Sequence, residues 1–140
     1  MKKILYLAMM LLVAFAAVSC TKEDKITDTL TLRGNTYKIV HAICGGYEAA
    51  FYNMDIDTEE GIHGYGGFDA DWVGKTTDLK GRFFLSFNPM SGNSIDPVVK
   101  SGTVTIKKVE KGMNVIVDAV EETGDKLKMS VFVEDMGQNF

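Results

Sequence analysis

The stretch that decides the fold runs from Thr103 to Val133 and reads TVTIKKVEKGMNVIVDAVEETGDKLKMSVFV. Apolar and polar residues alternate in three runs, which are separated by Glu110-Lys111-Gly112 and by Glu122-Thr123-Gly124-Asp125. Alternation with a period of two is typical of strands that bury one face, and the interruptions have the composition of turns. The stretch therefore predicts three antiparallel strands joined by hairpins, with one face in contact with solvent.

The same period of two continues towards the N-terminus. We expect a strand at Thr29–Leu32, a turn at Arg33-Gly34-Asn35 and strands at Thr36–Cys44 and Tyr47–Ile56. The following segment, 62–77, is rich in glycine and has no regular alternation, so it is interpreted as a long loop or a broken edge strand.

Alternation also assigns faces within each strand. It places Tyr37 and Ile39 on the same face as His41 and Ile43, and it places Cys44 on the other face. The later run, 82–87, directs its alternate apolar residues Phe83, Leu85 and Phe87 to one side.

Together these runs predict an all-β fold of about seven to eight antiparallel strands in a single domain that spans residues 29–140. A β-sandwich is the expected arrangement, and a small β-barrel is the alternative.

The N-terminus has the composition of an export signal. Lys2-Lys3 precede an apolar run, 4–18, that ends in small residues before Cys20. A permanent transmembrane helix needs about 20 apolar residues, and this run is shorter. We therefore expect a cleaved signal peptide at 1–19, a short polar tether at 20–28 and then the domain. Ala17-Val18-Ser19 also satisfies the cleavage rule of an ordinary secretory signal, which is the alternative.

Ala17-Val18-Ser19-Cys20 resembles the lipobox of bacterial lipoproteins, although that motif usually has Leu where this chain has Ala17. The resemblance implies that Cys20 is lipidated and anchors the mature chain to a membrane. The next residues, Lys22-Glu23-Asp24, look like the signal that sends lipoproteins of Bacteroidota to the cell exterior. The implied location is the outer membrane, with the domain facing outwards.

A second resemblance covers 78–135. This segment is similar to small Bacteroidota surface lipoproteins that have a β-sandwich domain. The similar features are an aromatic strand that begins at Gly81, a loop, and then Ser101-Gly102-Thr103 followed by two β-hairpins. These relatives are mostly uncharacterised, so the resemblance implies a fold and no chemistry.

Charge and composition exclude some classes of function. Removing 1–19 leaves 13 Lys and Arg against 19 acidic residues, and this acidic balance without a basic stripe argues against nucleic acid as a partner. Catalysis is not expected either. The serines lie outside any nucleophile motif, and the only histidines are His41 and His63. A small hydrolase in which His63 meets Cys44 is the least favoured alternative.

The densest group of oxygen donors suggests a calcium site, because calcium takes six to eight oxygen ligands. The spacing is not that of an EF-hand, since Glu60 lies where that loop needs glycine. A solvated acidic loop is the alternative, and no other cofactor is expected. The candidate ligands, with His63 nearby, are Asp55, Asp57, Glu59, Glu60, Asp69 and Asp71.

Three aromatic residues in the same segment, Tyr65, Phe68 and Trp72, suggest a platform for a sugar ring. The alternative places Trp72 in the core. The sequence thus predicts a lipid-anchored binding or structural module of the cell envelope, with a glycan or an envelope protein as partner and 57–74 as the contact surface.

Overall fold

The computed structural model describes residues 25–48 and 50–138. These residues contain ten strands and a single turn of 3-10 helix at Ala70–Trp72. None of the described residues belongs to a helix with the length and apolarity needed to cross a membrane. The strands are β1 (Thr29–Leu32), β2 (Asn35–Tyr47), β3 (Phe51–Thr58), β4 (His63–Asp69), β5 (Lys75–Asp78), β6 (Gly81–Arg82), β7 (Leu85–Asn88), β8 (Val98–Val109), β9 (Gly112–Glu121) and β10 (Lys126–Gln138).

All ten strands belong to one hydrogen-bonded sheet with the order β5-β8-β9-β10-β1-β2-β3-β4-β7, and β6 pairs with β8. Neighbouring strands are antiparallel except for a parallel contact between β10 and β2. A bridge between Phe87 and Ile95 ties β7 to the segment that leads into β8. The predicted all-β, antiparallel fold is confirmed. Its strands make one continuous sheet around a shared core.

The meander of β8, β9 and β10 follows the predicted alternation. Val104, Val117 and Met129 lie in register across the three strands and are buried, whereas Asp118 and Lys128 on the opposite face are exposed. Burial of each such apolar side chain contributes about 1.5–3 kcal/mol, so this face makes a large contribution to core stability.

A fork in the sheet fixes where the chain enters it. β1 separates β2 from β10 over four residues, and beyond its start those two strands pair directly. Asp28 occupies the branch point: its backbone oxygen accepts a hydrogen bond from the Ile39 N–H at 2.8 Å, and its Oδ1 accepts one from the Phe132 N–H at 3.1 Å. The Thr27 N–H donates to Ser130 Oγ. The last residues of the predicted tether are thus held by the sheet.

The face assignment in β2 was wrong after Ile39. The register with β3 shifts between Ile39 and His41, so Val40 is an extra residue in a β-bulge. One extra residue moves every later side chain to the opposite face. As a result Ile39 is buried in the core, whereas His41 is exposed on the outer face.

The prediction of a long loop or a broken edge strand at 62–77 was wrong for 63–69, because β4 is an inner strand paired with β3 and β7. The end of this segment does belong to an edge strand, β5. The glycines of β4 are needed for space. A Cβ on Gly64 would lie 2.8 Å from Ile56 Cγ1, and a Cβ on Gly66 would overlap the backbone oxygen of Phe84. The glycine content therefore reflects close packing of neighbours against the strand.

One acidic side chain lies inside the core. Glu121, at the end of β9, is 1% exposed, and its Oε1 lies 3.4 Å from an Nη atom of Arg33 in the turn between β1 and β2. Its Oε2 has no hydrogen-bond partner in the described part of the chain. Arg33 has a φ of +50° and Gly34 a φ of +84°, as expected of a two-residue hairpin turn. The turn thus places a half-exposed cation over a buried carboxylate.

Candidate functional site

The outer face of β2, β3 and β4 carries a row of ionisable side chains that the strand register brings together. His41 pairs in register with Asp57, and Asp57 pairs with His63. Directly opposed residues on neighbouring strands have Cβ atoms about 4.5–5.5 Å apart, so the three side chains are adjacent. The bulge at Val40 is essential, because without it His41 would face the core.

Asp57 interacts with both histidines. His63 Nδ1 donates a hydrogen bond of 2.7 Å to Asp57 Oδ1, and His41 Nδ1 lies 3.4 Å from Asp57 Oδ2. Because a carboxylate only accepts, the short bond fixes the proton of a neutral His63 on Nδ1. His63 Nε2 then faces Asp55 Oδ1 at 3.8 Å. These side chains are about half exposed, so the pairs contribute little to folding.

Tyr65 extends this surface. It is 52% exposed, lies opposite Asp55 in register, and its ring is nearly parallel to that of His63, with centroids 6.1 Å apart. We call the surface formed by His41, Asp55, Asp57, His63 and Tyr65 the His–Asp face. It offers three flat rings, each about half exposed, beside two carboxylates.

The predicted calcium ligands are divided between two ends of the sheet. Asp69 pairs with Phe51 and His63 pairs with Asp57, so Asp69 and the neighbouring Asp71 lie roughly 20 Å along β4 from the His–Asp face. Glu60 accepts a hydrogen bond from the Lys38 N–H, and Glu59 is exposed at the turn.

Across residues 25–48 and 50–138, no group of three or more His, Cys, Asp or Glu side chains is arranged to hold a metal ion. The six carboxylates therefore do not form one calcium site. The extended strand β4 holds Asp69 and Asp71 far from Asp55 and Asp57, whereas a loop could have brought them together.

The predicted aromatic platform does not form either. Phe68 is 1% exposed and stacks on Tyr52 inside the core, and Trp72 packs against Phe68 and edge-on against Phe84. Tyr65 lies three residues from Phe68 on the same strand and so faces the opposite side. Of the three predicted residues, only Tyr65 reaches the outer surface with its ring.

Cys44 lies on the inner face and is fully buried. Burial, with a smaller contribution from the charge of Asp135, raises the pKa of its thiol to about 12. The same two causes, burial first, raise the pKa of Tyr52, with Cys44 itself as a further contributor. A thiol with such a pKa remains protonated at neutral pH and is a poor nucleophile. Because His63 lies on the outer face, the structure does not bring it together with Cys44.

The His63–Asp57 pair has the geometry of a base held by an orienting carboxylate. In the described residues, however, no serine, threonine or cysteine side chain is hydrogen bonded to either histidine. The arrangement is suited to hydrogen bonding and ring stacking with a ligand. Sequence reasoning had not selected His41, because the bulge that exposes it has no signal in a pattern of period two.

Cys20 and the export signal Lys22-Glu23-Asp24 lie outside the described residues, as does the predicted signal peptide. Comparisons with protein-family models, curated proteins and solved structures find no match for this chain. A function for this chain is therefore inferred from the chemistry of its own surfaces.

Proposed function

We propose that this protein is a lipid-anchored, non-catalytic binding module of a bacterial cell surface, and that the His–Asp face contacts a glycan. One observation carries the proposal: the exposed ring of Tyr65 lies nearly parallel to His63 and directly opposite Asp55, and Asp57 is bonded to His63 on the same face. An apolar ring face next to hydrogen-bond acceptors matches a sugar, which has an apolar C–H face and a rim of hydroxyl groups.

Each group has a distinct part in this mode of binding. The ring of Tyr65 stacks against the C–H face of one sugar unit. Asp55 and Asp57 accept hydrogen bonds from its hydroxyls, and His63 Nε2 accepts one further hydrogen bond, because the bond to Asp57 places the proton of the neutral ring on Nδ1. The face is flat and exposed, so we expect weak binding of single sugars and stronger binding of repeated units.

Binding is tested by placing the full chain, purified in mild detergent, on an array of neutral oligosaccharides. We expect Tyr65→Ala to lower the affinity for the best neutral glycan at least tenfold, and Asp55→Asn to lower it by a smaller factor. Tyr47→Ala is the matched control, since Tyr47 is equally exposed but lies at the far end of β2. Equal losses in the Tyr65 and Tyr47 variants, or no binding to any glycan, would contradict the proposal.

Anchoring is tested separately in cells. Palmitate label should appear on the wild-type chain and disappear in Cys20→Ala, with the protein exposed to external protease. Substituting Lys22-Glu23-Asp24 with alanines should keep the label and remove the exposure to protease. Label that persists in Cys20→Ala would show that the lipid is attached elsewhere.

A structural role in an envelope complex is the second candidate. It is supported by Val40 and Phe132, which are 58% and 36% exposed and line one hollow beside the fork in the sheet. Exposed apolar side chains that lie side by side are a feature of contact surfaces. If this role is correct, a partner co-purifies with the wild-type chain and is lost in Val40→Lys, whereas Tyr65→Ala retains it.

A further inference from the structure

Two hydrogen-bond acceptors on the His–Asp face lie side by side without a proton between them. When the ring of His63 is neutral, its bond to Asp57 places the proton on Nδ1 and leaves Nε2 as an acceptor. Nε2 lies 3.8 Å from Asp55 Oδ1, which also only accepts, so no hydrogen bond joins these two atoms. The pair therefore leaves a position that suits a ligand group with several protons.

The distance between the two acceptors indicates which group fits that position. A charge-assisted N–H···O bond is about 2.7–2.9 Å long, so one nitrogen atom can lie at that distance from both His63 Nε2 and Asp55 Oδ1. A sugar hydroxyl has a single proton and donates to one of the two acceptors. An ammonium group has three protons, so it donates to both and keeps one for a further contact.

The charge of the surrounding surface also favours a cation. Asp55 and Asp57 pair with histidines, which carry no charge in their neutral form. The sequence has no Lys or Arg between Lys38 and Lys75, the stretch that contains β3, β4 and most of β2. The side chains of Asp55 and Asp57 are 35% and 45% exposed. Their negative charge is therefore accessible to a ligand of opposite charge.

We propose that the His–Asp face selects sugars that carry a free amino group, such as glucosamine units. The ammonium group of the sugar bridges Asp55 Oδ1 and His63 Nε2. The ring of Tyr65, which lies opposite Asp55, stacks against the C–H face of the same sugar unit. This assignment rests on the glycan site proposed above and names its ligand. N-acetylation of the sugar removes the charge and two of the three protons, so it should weaken binding.

Protonation of His63 gives the proposal a second readout. Histidine changes charge between about pH 5 and pH 8. A proton on Nε2 would make this atom a donor to Asp55 and would fill the position of the ammonium group. The other titratable groups that face His63 are Asp57 on β3 and Tyr65 on its own strand, and Asn88, its partner on β7, carries no charge. Binding of an amino sugar should therefore weaken at acid pH, although its own ammonium group stays protonated.

The test measures binding of the full chain, purified in mild detergent, to a chitosan oligosaccharide, to its N-acetylated form and to a cello-oligosaccharide of the same length. At neutral pH the amine form should bind about tenfold more tightly than the other two, as expected for one charge-assisted contact. At about pH 5 this preference should disappear. Equal affinities for the three sugars at neutral pH, or an unchanged preference at acid pH, would overturn the proposal.

Two matched variants separate a local contact from general attraction to an acidic surface. Asp55→Asn should remove the preference for the amine form, because it removes the charge and keeps the shape of the side chain. Asp69→Asn removes an exposed carboxylate at the far end of β4, so it should leave the preference unchanged. Equal losses of preference in the two variants would show nonspecific attraction and would contradict the proposed contact.

The same assay distinguishes the ligand assignment from the glycan site itself. Tyr65→Ala should lower the affinity for all three sugars, whereas Asp55→Asn should mainly change the ratio between them. Binding that depends on Tyr65 but shows no preference for the amine form would retain the glycan site and exclude the amino-sugar assignment. Binding of none of the three sugars would contradict both.

Discussion

The meander of β8, β9 and β10 and the three strands β2, β3 and β4 are built by the same alternation but use their two faces differently. In the meander the inner face carries medium-sized apolar side chains at nearly every inward position, such as Val104, Val115 and Val131. Among β2, β3 and β4 the inner face includes Cys44 and two glycines. Gly64 leaves room for Ile56 and the Phe87 ring, and Gly66 leaves room for the backbone of Phe84.

This difference indicates which part of the sheet carries the candidate binding site. The arrangement of the meander follows its sequence pattern closely, since its strands present an apolar face that Glu121 interrupts near one end. The second region depends on a bulge and on close backbone approach. The bulge turns His41 to the outer surface, where the strand register places it next to Asp57 and His63. The candidate site therefore lies on the part of the sheet with the less regular backbone.

The largest expected effect comes from filling the space beside β4. Gly66→Ala should destabilise the fold by about 3 kcal/mol or more, because its Cβ would overlap the Phe84 carbonyl oxygen, which belongs to the backbone and moves only if the strand moves. Denaturant unfolding followed by Trp72 fluorescence measures this change.

Gly46→Ala is the matched control, because the nearest atom to its Cβ would be a Tyr52 ring carbon at 3.9 Å, an ordinary contact. We expect a change within about 0.5 kcal/mol for that variant. If both substitutions lower the free energy of unfolding equally, close packing is not the reason for the glycines of β4. The contrast between the two regions would then be lost.

A smaller effect on stability is expected at the position where the inner face of the meander carries a charged residue. Glu121 is the buried acid at the end of β9, and Arg33 is the cation that covers it. Arg33→Ala should destabilise by about 1–2 kcal/mol at neutral pH, because it leaves a buried carboxylate without its charged partner. Because Arg33 is half exposed, its truncation to alanine opens a path for water to the buried acid, which limits the loss.

The same substitution in a Glu121→Gln background should cost less than about 0.5 kcal/mol, since a neutral amide does not need the cation. Urea unfolding of the four proteins measures the coupling. An equal cost of Arg33→Ala in both backgrounds would show that Arg33 acts through its turn conformation and not through the buried charge.

The fold was more predictable than the site for a physical reason. Alternation reports which face of a strand is buried, and it correctly placed Val117, Met129 and Phe87 in the core. It does not report what occupies the space opposite a glycine, so the close packing of β4 looked like a loop. It also has no signal for the extra residue Val40, which inverts the rest of β2.

The candidate site shows the same limit. Asp55, Asp57 and Tyr65 were selected from the sequence, but as parts of groups that the end of a strand and the following loop would bring together. A strand instead spreads them along its length and divides them between its faces. Cross-strand register, which a single sequence does not show, decides that His63 and His41 join Asp57 while Asp69 does not.

The smallest effect on stability is expected at the His–Asp face, and its smallness is informative. In a double-mutant cycle of Asp57→Ala and His63→Ala, the coupling free energy should be below about 1 kcal/mol at pH 7, because both side chains are 45% exposed and screened by water. Glycan binding should nevertheless be lost in each single variant. A pair that is dispensable for folding but required for binding is placed there by the needs of the ligand. A coupling free energy above about 2 kcal/mol with unchanged glycan binding would instead show that the pair stabilises the contact between β3 and β4. The two regions of the sheet would then differ in how they are stabilised and not in their function.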